Sequence, residues 1–383
     1  MENSNAFKHR IGGAVVQQLA TATRRAWRSF DEASFRTRAL DGLEALELKA
    51  RVKWVAQVWA EHLPPDYAEA LPLVLATMGP PLETGAQVSE GLFFHWIHAQ
   101  FVESYGLLHV LPSLQAMREL TQRSTAEFCV RPFLVQHPDE TLAFLTNARS
   151  HASPHVRRWV SEGTRPRLPW GLRLAAFVKD PGPVLALIAP LRFDDEEYVR
   201  TSVANNLNDI AKDHPELVVE TVKAWLRETS NPHAPWIAKR ALRTLIKQGH
   251  AGALEALGFS AGTRTKLVAF TLDRESLSVG DDLVMEVTLQ AGPAEVVNLD
   301  YAIGFQLSGG KRGEKVFKLK VLNLDEGQTV VLRKKHSFRP ITTRKYYGGE
   351  HSVALIANGQ TLGRATFTLQ VPSSRRGFVG GGR

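Results

Sequence analysis

Cysteine is almost absent from this sequence of 383 residues, in which Cys129 is the single example. One thiol excludes a disulfide within the chain and is typical of a protein that works in a reducing cytoplasm. No N-terminal stretch has the apolar core of a signal peptide, and the apolar run at Leu71–Leu82 is too short and too interrupted by proline to span a membrane. We therefore expect a cytoplasmic protein without a membrane partner.

Several signatures of cofactor-dependent enzymes are also missing. The sequence has no GxGxxG, P-loop, HExxH or GxSxG motif, which argues against nucleotide cofactors, zinc peptidases and serine hydrolases. His95 and His98 are spaced like metal ligands on one helix, but no third ligand is placed by the sequence, so packed or surface histidines are expected. Cys129 shows no sign of an activated nucleophile.

Acidic residues are fewer than basic ones, and the net charge of +8 is unevenly placed. Residues 264–371 contain 15 Lys and Arg against 11 Asp and Glu, and residues 372–383 add three arginines. The rest of the chain is nearly neutral, so a basic cluster within it reflects local patterning and not composition.

Such a cluster occupies residues 149–179, where two tryptophans, two histidines and seven cations surround a single carboxylate, Glu162. The cations are Arg149, Arg157, Arg158, Arg165, Arg167, Arg173 and Lys179, and the tryptophans are Trp159 and Trp170. Cations mixed with flat rings suit a sugar-phosphate chain, so a polyanionic partner is expected.

Glu162 falls in the last turn of a predicted helix, because Ser153-Pro154 is typical of a helix start and Gly163 of a helix end. A carboxylate at that end opposes the helix dipole. One interpretation is a surface ion pair with Arg158, worth about 0.5 kcal/mol. The other is an acid with a function inside a phosphate-attracting surface.

The first 260 residues have apolar residues at helical spacing and no strand-like alternation. The first predicted helical segments are Gly12–Trp27, Asp31–Gly42, Leu46–Leu63, Pro65–Met78, Glu90–Tyr105, Leu107–Gln122 and Ser124–Val135. Three later helices begin with similar sequences at Pro138, Pro181 and Pro215, and each is followed by a second helix that contains an apolar residue and a basic residue. Spacings of 43 and 34 residues between these prolines predict a HEAT-like helical-repeat solenoid, whose concave side is the default binding surface.

From Lys266 the apolar period changes to two, which predicts an all-β domain. The candidate strands are Lys266–Asp273, Leu283–Gln290, Val296–Leu307, Lys315–Leu322, Thr329–Phe338, His351–Ala357 and Thr361–Val371. Seven short strands without a cysteine pair indicate an immunoglobulin-like sandwich. We thus expect a multidomain chain with a flexible N-terminus at 1–10, the solenoid at 11–260, the sandwich at 264–371 and a disordered basic tail at 372–383.

Two further stretches contain candidate site residues. In residues 202–216, a 100° step per residue puts Asn206 inside the buried stripe, with Ser202, Asn205 and Asp209 on one flank. This cluster either serves a site or fixes the packing between repeats. Glu127 is a third acid, although Ser124 to Glu127 also has the pattern of a capping box, which is the stronger interpretation there.

Four phrases resemble a known family. They are FDEASFRTRALDGLEALELKARVKWVAQ (30–57), STAEFCVRPFL (124–134), SPHVRRWVSEGTRPRLPW (153–170) and SVANNLNDIAKDHPE (202–216). The resemblance is to the alkylation-specific DNA glycosylases of the AlkC type, relatives of the HEAT-repeat glycosylase AlkD, and it covers most of residues 30–250. Some members of this type append an immunoglobulin-like domain, which fits residues 264–371.

The resemblance implies base-excision DNA repair in duplex DNA, with hydrolysis of the bond to cationic methylated bases, chiefly 3-methyladenine and 3-methylcytosine. It also implies that no metal or organic cofactor is used, and that the damaged nucleotide is held in a bent duplex and not in a deep pocket. Within the matching phrases, Glu127, Glu162 and Asp209 correspond to the acids of the site and Trp170 to an aromatic wall. We expect a monomer that acts in the bacterial cytoplasm at the nucleoid.

The residues themselves agree with this chemistry. A cationic base leaves without a proton donor and transfers positive charge to the deoxyribose, so the enzyme needs anions near the sugar. We expect Glu162 or Asp209 to stabilise that charge and to position water, while either tryptophan packs on the sugar or base. The candidates for DNA contact are Arg149, Arg157, Arg158, Arg165, Arg167, Asn205, Lys311, Arg312, Arg333 and Lys334.

Alternatives remain open at this stage. The chain could be a non-catalytic DNA-shape binder, or a protein-interaction scaffold that binds an acidic partner. The basic residues of the sandwich, from Lys311-Arg312 to Arg333-Lys334-Lys335, either face phosphates or are charged loops and edges that keep strands from aggregating.

Overall fold

The computed structural model describes residues 7–82, 91–341 and 344–371. Residues 1–6 and the tail at 372–383, expected to be flexible, lie outside this range, whereas Phe7–Arg10, also expected to be frayed, form a 3-10 helix. Within the described ranges, no helix has both the length and the apolar character needed to cross a membrane.

The N-terminal two-thirds is helical, as predicted. The helices are α1 (Gly13–Ala26), α2 (Glu32–Leu40), α3 (Leu48–Glu61), α4 (Tyr67–Ala76), α5 (Leu92–Tyr105), α6 (Val110–Thr121), α7 (Val130–Gln136), α8 (Pro138–Ala148), α9 (Pro154–Gly163), α10 (Ala175–Lys179), α11 (Gly182–Ile188), α12 (Glu197–Ile210), α13 (Pro215–Arg227), α14 (Ala234–Ala241), α15 (Arg243–Lys247) and α16 (Ala251–Ala256). Shorter 3-10 turns lie at Leu43–Ala45 and Pro190–Phe193. The largest boundary error is at α7, for which the sequence predicts a start at Ser124.

The predicted repeat is present as the pairs α8/α9, α11/α12 and α13/α14. The second helices pack side by side, α9 against α12 and α12 against α14. The apolar residue predicted for each of them, Val156, Val199 or Ile237, is fully buried. These contacts set α9 beside α12, the two helices on which Glu162 and Asp209 are predicted to lie.

The strands are β1 (Lys266–Leu272), β2 (Ser276–Ser278), β3 (Asp282–Gln290), β4 (Glu295–Gln306), β5 (Arg312–Leu324), β6 (Thr329–Ser337), β7 (Gly349–Ala357) and β8 (Gln360–Gln370). They form a three-stranded sheet in the order β1-β3-β6 and a five-stranded sheet in the order β2-β8-β7-β4-β5. Alternate residues of β3 (Leu283, Met285) and β4 (Tyr301, Ile303) face each other in the core between the sheets. The strand missed from the sequence, β2, has three residues and pairs in parallel with β8.

The described chain forms two compact units. One, the helical unit, extends to Val218 and includes Ala224–Ala241, while the other, the β unit, comprises Val219–Lys223 and the residues from Leu242 onward. Helices α15 and α16 thus belong with the strands; an added Cβ on Gly249, between these helices, would lie 2.8 Å from Cα of Gly359, between β7 and β8. The division expected at residues 260–264 stays a prediction.

Candidate active site

Glu162 lies on the last turn of α9, as predicted, but it is buried. Its Oε1 accepts a hydrogen bond from Arg165 Nη1 at 2.6 Å and lies 3.5 Å from Arg158 Nη2, and its Oε2 accepts from Ser202 Oγ at 2.6 Å. Burial alone raises the pKa of a carboxyl group, but here the two arginines and the Ser202 hydroxyl lower the pKa of Glu162 below its ordinary value. The surface-ion-pair interpretation is therefore wrong, and Glu162 is an ionised carboxylate inside the helical unit.

Gly163 allows another segment to approach this end of α9. An added Cβ at this position would lie 2.7 Å from Cγ1 of Val130, closer than packed atoms come. The chain that leads into α7 can therefore pack directly on the last turn of α9, which brings Glu127 toward Glu162.

Asp209 is the second buried acid, and it lies near the end of α12. Its Oδ2 accepts from Arg165 Nε at 2.7 Å, and its Oδ1 accepts from Lys212 Nζ at 2.7 Å. The same guanidinium therefore joins Asp209 to Glu162. Burial opposes the charge on Arg165, but the two carboxylates raise its pKa above the ordinary value, so the bridge stays charged.

Asn206 explains how α12 is held against α9. It is fully buried, and its Nδ2 donates to the Ser161 carbonyl at 2.8 Å and to Thr164 Oγ1 at 3.3 Å. The prediction that Asn206 finds partners in the core is confirmed. The packing and the site interpretations of this stretch are compatible, because Asn206 aligns the helices while Ser202 and Asp209 reach the charges around Glu162.

Glu127 is not part of a capping box, and that expectation is wrong. The Ser124 amide donates to the Leu120 carbonyl, and α7 begins only at Val130. The carboxylate of Glu127 instead accepts from Arg158 Nη1 at 2.7 Å and from Thr125 Oγ1 at 3.0 Å. A contact distant in sequence has replaced the local one.

The three predicted acids thus belong to one chain of alternating charges. In order along the contacts, its members are Glu127, Arg158, Glu162, Arg165, Asp209 and Lys212. We call this set the charge chain. Because Glu162, Arg165 and Asp209 are buried, the interactions among them are screened by water far less than surface ion pairs are.

The predicted phosphate-binding arginines are largely engaged with acids. Arg158 and Arg165 lie in the charge chain, Arg157 makes two bonds to Asp194 at 2.6 and 2.9 Å, and Arg167 makes two to Asp213 at 2.6 and 2.5 Å. Arg149 has no salt bridge to any residue that the structure describes. Phosphate contact by these five residues stays a prediction, and so does DNA contact by the partly exposed Asn205.

The two candidate tryptophans have opposite environments. Trp159 is 0% exposed and packs edge-to-face on Phe144, so its ring is part of the core and is not available to stack on DNA. Trp170 is 63% exposed and has a φ of 66°, a left-handed conformation that costs on the order of 1 kcal/mol for a residue with a side chain. Trp170 also borders a cavity of about 230 Å³ whose walls include Lys49 and the stacked rings of Trp96 and Phe128.

Arg131 is a site-adjacent residue that the sequence analysis missed. It is completely buried, and it donates from Nη1 to the Gly163 carbonyl at 2.8 Å and from Nε to the Leu172 carbonyl at 2.6 Å. The signal was a charged residue inside the apolar run FCVRPFL, where a solvent-facing side chain is not expected.

The basic residues of the β unit lie on β5, on β6 and beside β5. Arg312 pairs with Glu350 at 3.0 Å and Lys335 with Asp282 at 2.9 Å. Lys311, Arg333 and Lys334 have no salt bridge within the described part of the chain. These three are the better candidates for binding an external anion.

The histidines noted for their spacing are packed residues, as expected. His98 is buried, and its Nε2 lies 2.8 Å from Thr77 Oγ1. Burial lowers the pKa of His98 to about 3, so it is neutral at physiological pH. In the ranges that the structure describes, no group of three His, Cys, Asp or Glu side chains has an arrangement suited to a metal ion.

The sequence and the structure are similar to those of known proteins over nearly the whole chain. The structure is similar to that of the Pseudomonas fluorescens alkylpurine DNA glycosylase AlkC bound to DNA containing an abasic site analog, with a TM-score of 0.88 and 35% identity over 95% of this chain and 99% of that one. The uncharacterized protein YhaZ of Bacillus subtilis (strain 168) is 37% identical over 356 residues, which are 93% of this chain and 97% of YhaZ. Residues 266–371 match the model of the C-terminal Ig-like domain of the uncharacterised protein YhaZ, which confirms the predicted immunoglobulin-like sandwich.

Proposed function

This chain belongs to the family of AlkC-type alkylation-specific DNA glycosylases, and we propose that it releases alkylated bases from DNA by hydrolysing their N-glycosidic bond. The observation that carries the proposal is the ionised, buried Glu162, held with Asp209 by the single guanidinium of Arg165. The relative bound to DNA with an abasic site analog supports DNA as the partner and an abasic site as the product.

The substrate class follows from the charge of the acids. A base alkylated on a ring nitrogen is already cationic, so it departs without being protonated, and the developing positive charge lies on the deoxyribose. A carboxylate whose pKa is lowered is a poor proton donor but a good anionic neighbour for that sugar. The charge of the acids thus favours ring-alkylated cationic bases as a class, and within that class we propose 3-methyladenine and 3-methylcytosine, the bases that the resemblance to AlkC-type glycosylases implies.

The three acids have different surroundings, which supports a division of labour. Asp209 and Glu162 share Arg165, and both are within the buried part of the charge chain, so we assign them to stabilise the sugar cation and to hold the attacking water. Glu127 interacts with the other side of Arg158 and supports the position of that arginine. Water is the nucleophile in this proposal, so the products are a free base and an intact strand with an abasic site.

The test is a single incubation with methylated duplex DNA, followed by chromatography of the released bases and by an assay for strand breaks. We expect free 3-methyladenine and 3-methylcytosine, no strand cleavage, and little release by Asp209→Asn. Glu228→Gln is a matched control, because Glu228 pairs with Arg192 at 2.9 Å away from the charge chain. Tight, salt-sensitive duplex binding without base release would favour a DNA-shape binder, and absence of both would favour a protein scaffold.

A further inference from the structure

Arg131 connects two parts of the candidate site, the end of α9 that carries the Glu162 carboxylate and the loop that carries the Trp170 ring. The Gly163 carbonyl, which accepts from Nη1, belongs to the residue after Glu162. The Leu172 carbonyl, which accepts from Nε, lies two residues after Trp170. One buried side chain therefore links the backbone beside the carboxylate to the backbone beside the exposed ring.

The loop that carries Trp170 needs such support. A residue with a side chain adopts a positive φ only where its surroundings hold it there, and the φ of Trp170 is 66°. Lys49 Nζ holds the Trp170 carbonyl at 2.5 Å from one side. On the other side the guanidinium packs directly under the loop, since an added Cβ on Gly171 would lie 3.1 Å from Arg131 Nε.

The contacts of Arg131 show what an arginine supplies at this position. Its third nitrogen, Nη2, is buried and has no hydrogen-bond partner within the described residues. A buried donor without a partner costs free energy, which the two hydrogen bonds to the Gly163 and Leu172 carbonyls offset. Arginine is suited to this place because its planar fork donates in two fixed directions at once, whereas lysine has a single nitrogen.

We propose that Arg131 is a positioning residue that fixes the Trp170 ring relative to the Glu162 carboxylate by holding the Gly163 and Leu172 carbonyls. It acts through the backbone and does not contact substrate. This inference rests on the proposed function, since it assigns the ring and the carboxylate to one reaction.

The test compares Arg131→Lys with Arg51→Lys. Arg51 is an equally buried arginine that donates to the backbone carbonyls of Leu46, Ile11 and Glu44, away from the charge chain. Each variant is measured for thermal unfolding, for single-turnover base release, for duplex affinity and for hydrogen exchange in the loop. The informative amides are those of Gly171 and Leu174, which donate to the Leu168 and Pro166 carbonyls.

For Arg131→Lys we expect faster exchange at both amides and a single-turnover rate that falls about ten- to a hundredfold, with duplex affinity changed by less than about threefold. Arg51→Lys is expected to melt earlier but to keep the loop exchange and the rate per folded molecule. Lys49→Met provides a second variant at an exposed position, in case Arg131→Lys does not fold, and we expect the same pattern with a smaller loss.

Two results would overturn the inference. One is unchanged loop exchange in Arg131→Lys, or in Lys49→Met if Arg131→Lys does not fold. The other is faster exchange with an unchanged rate of base release, which would make Arg131 a structural residue only. If the parent protein releases no base, the proposed function fails instead, and the exchange data alone decide whether Arg131 holds the loop.

Discussion

Glu162→Gln separates the catalytic and the structural contributions of this carboxylate, because the side chain keeps its size and loses its charge. Its three neighbours are affected to different degrees. Ser202 can still donate to the amide oxygen, but the amide nitrogen then faces Arg165 Nη1 and cannot accept its hydrogen bond. Arg165 keeps Asp209 at 2.7 Å, and Arg158 keeps Glu127 at 2.7 Å. No arginine is left without an acid.

The expected loss of stability is therefore moderate. Removing one partner of an isolated buried ion pair costs about 3–5 kcal/mol, but with the remaining partners the loss should be nearer that of one charged hydrogen bond, about 2 kcal/mol. For a helical unit of this size, that corresponds to a melting temperature lower by about 4–8 °C. The loss of one fixed charge beside a developing cation is expected to lower the rate by about 10²–10³.

The measurement is single-turnover release of 3-methyladenine, normalised to the folded fraction, together with thermal unfolding and duplex affinity. Glu228→Gln is the matched control, since it removes the charge from another arginine pair of the same unit. Should Glu162→Gln melt earlier and yet release base within about threefold of the parent rate, the carboxylate would be a structural residue and our reasoning would be refuted.

Other predictions concern the rest of the charge chain and the β unit. Glu127→Gln should slow base release less than Glu162→Gln does, because Glu127 contacts Arg158 and not Arg165; an equal reduction in the same assay would place it among the acids at the sugar. Because the pKa of Glu162 is lowered in the folded state, its ionisation stabilises the fold fully above the ordinary carboxyl pKa. This contribution is lost as the pH falls through the lower pKa of the folded state. The free energy of unfolding should therefore fall less steeply with decreasing pH in Glu162→Gln than in the parent. Changing Lys311, Arg333 and Lys334 together to Gln in the full chain should weaken duplex binding and reduce its salt slope by on the order of one unit for each phosphate that is no longer neutralised. The same change at the salt-bridged Arg312 and Lys335 should have a smaller effect. If both variants keep the affinity and salt slope of the parent, the β unit is excluded from DNA binding.

The sequence was informative where local physics decides the structure. Ser153, Pro154 and Gly163 predicted the limits of α9, and the apolar stripe of α12 correctly placed Asn206 in the core, because both depend on residues within a few turns. Period-two apolar spacing located seven of the strands for the same reason. The short β2 escaped because three residues show no periodicity and its partner, β8, lies about ninety residues later.

The errors at the site also have a physical cause. A surface position was one interpretation of Glu162 because its nearest basic neighbour on the same helix is Arg158. In the structure α12 packs on α9, and its Ser202, 40 residues away, donates to the Glu162 carboxylate. Glu127 had the local pattern of a capping box, but Arg158, 31 residues later, holds its carboxylate instead. A tertiary ion pair outweighed a local hydrogen bond that is typically worth about 1 kcal/mol.

The pairing of the arginines changes how the charge of this region should be understood. Buried carboxylates remain ionised only if cations accompany them, and the charge chain contains three acids and three cations, so it is neutral as a set. In the proposed function, we therefore assign its action on the sugar cation to the fixed directions of nearby charges and not to net charge, which is the condition for electrostatic preorganisation. A neutral set cannot supply much attraction for phosphates, so that role falls to cations outside it. Arg149 and Arg173 have no salt bridge within the described ranges, and together with Lys311, Arg333 and Lys334 they are the residues to which we assign the salt dependence of duplex binding.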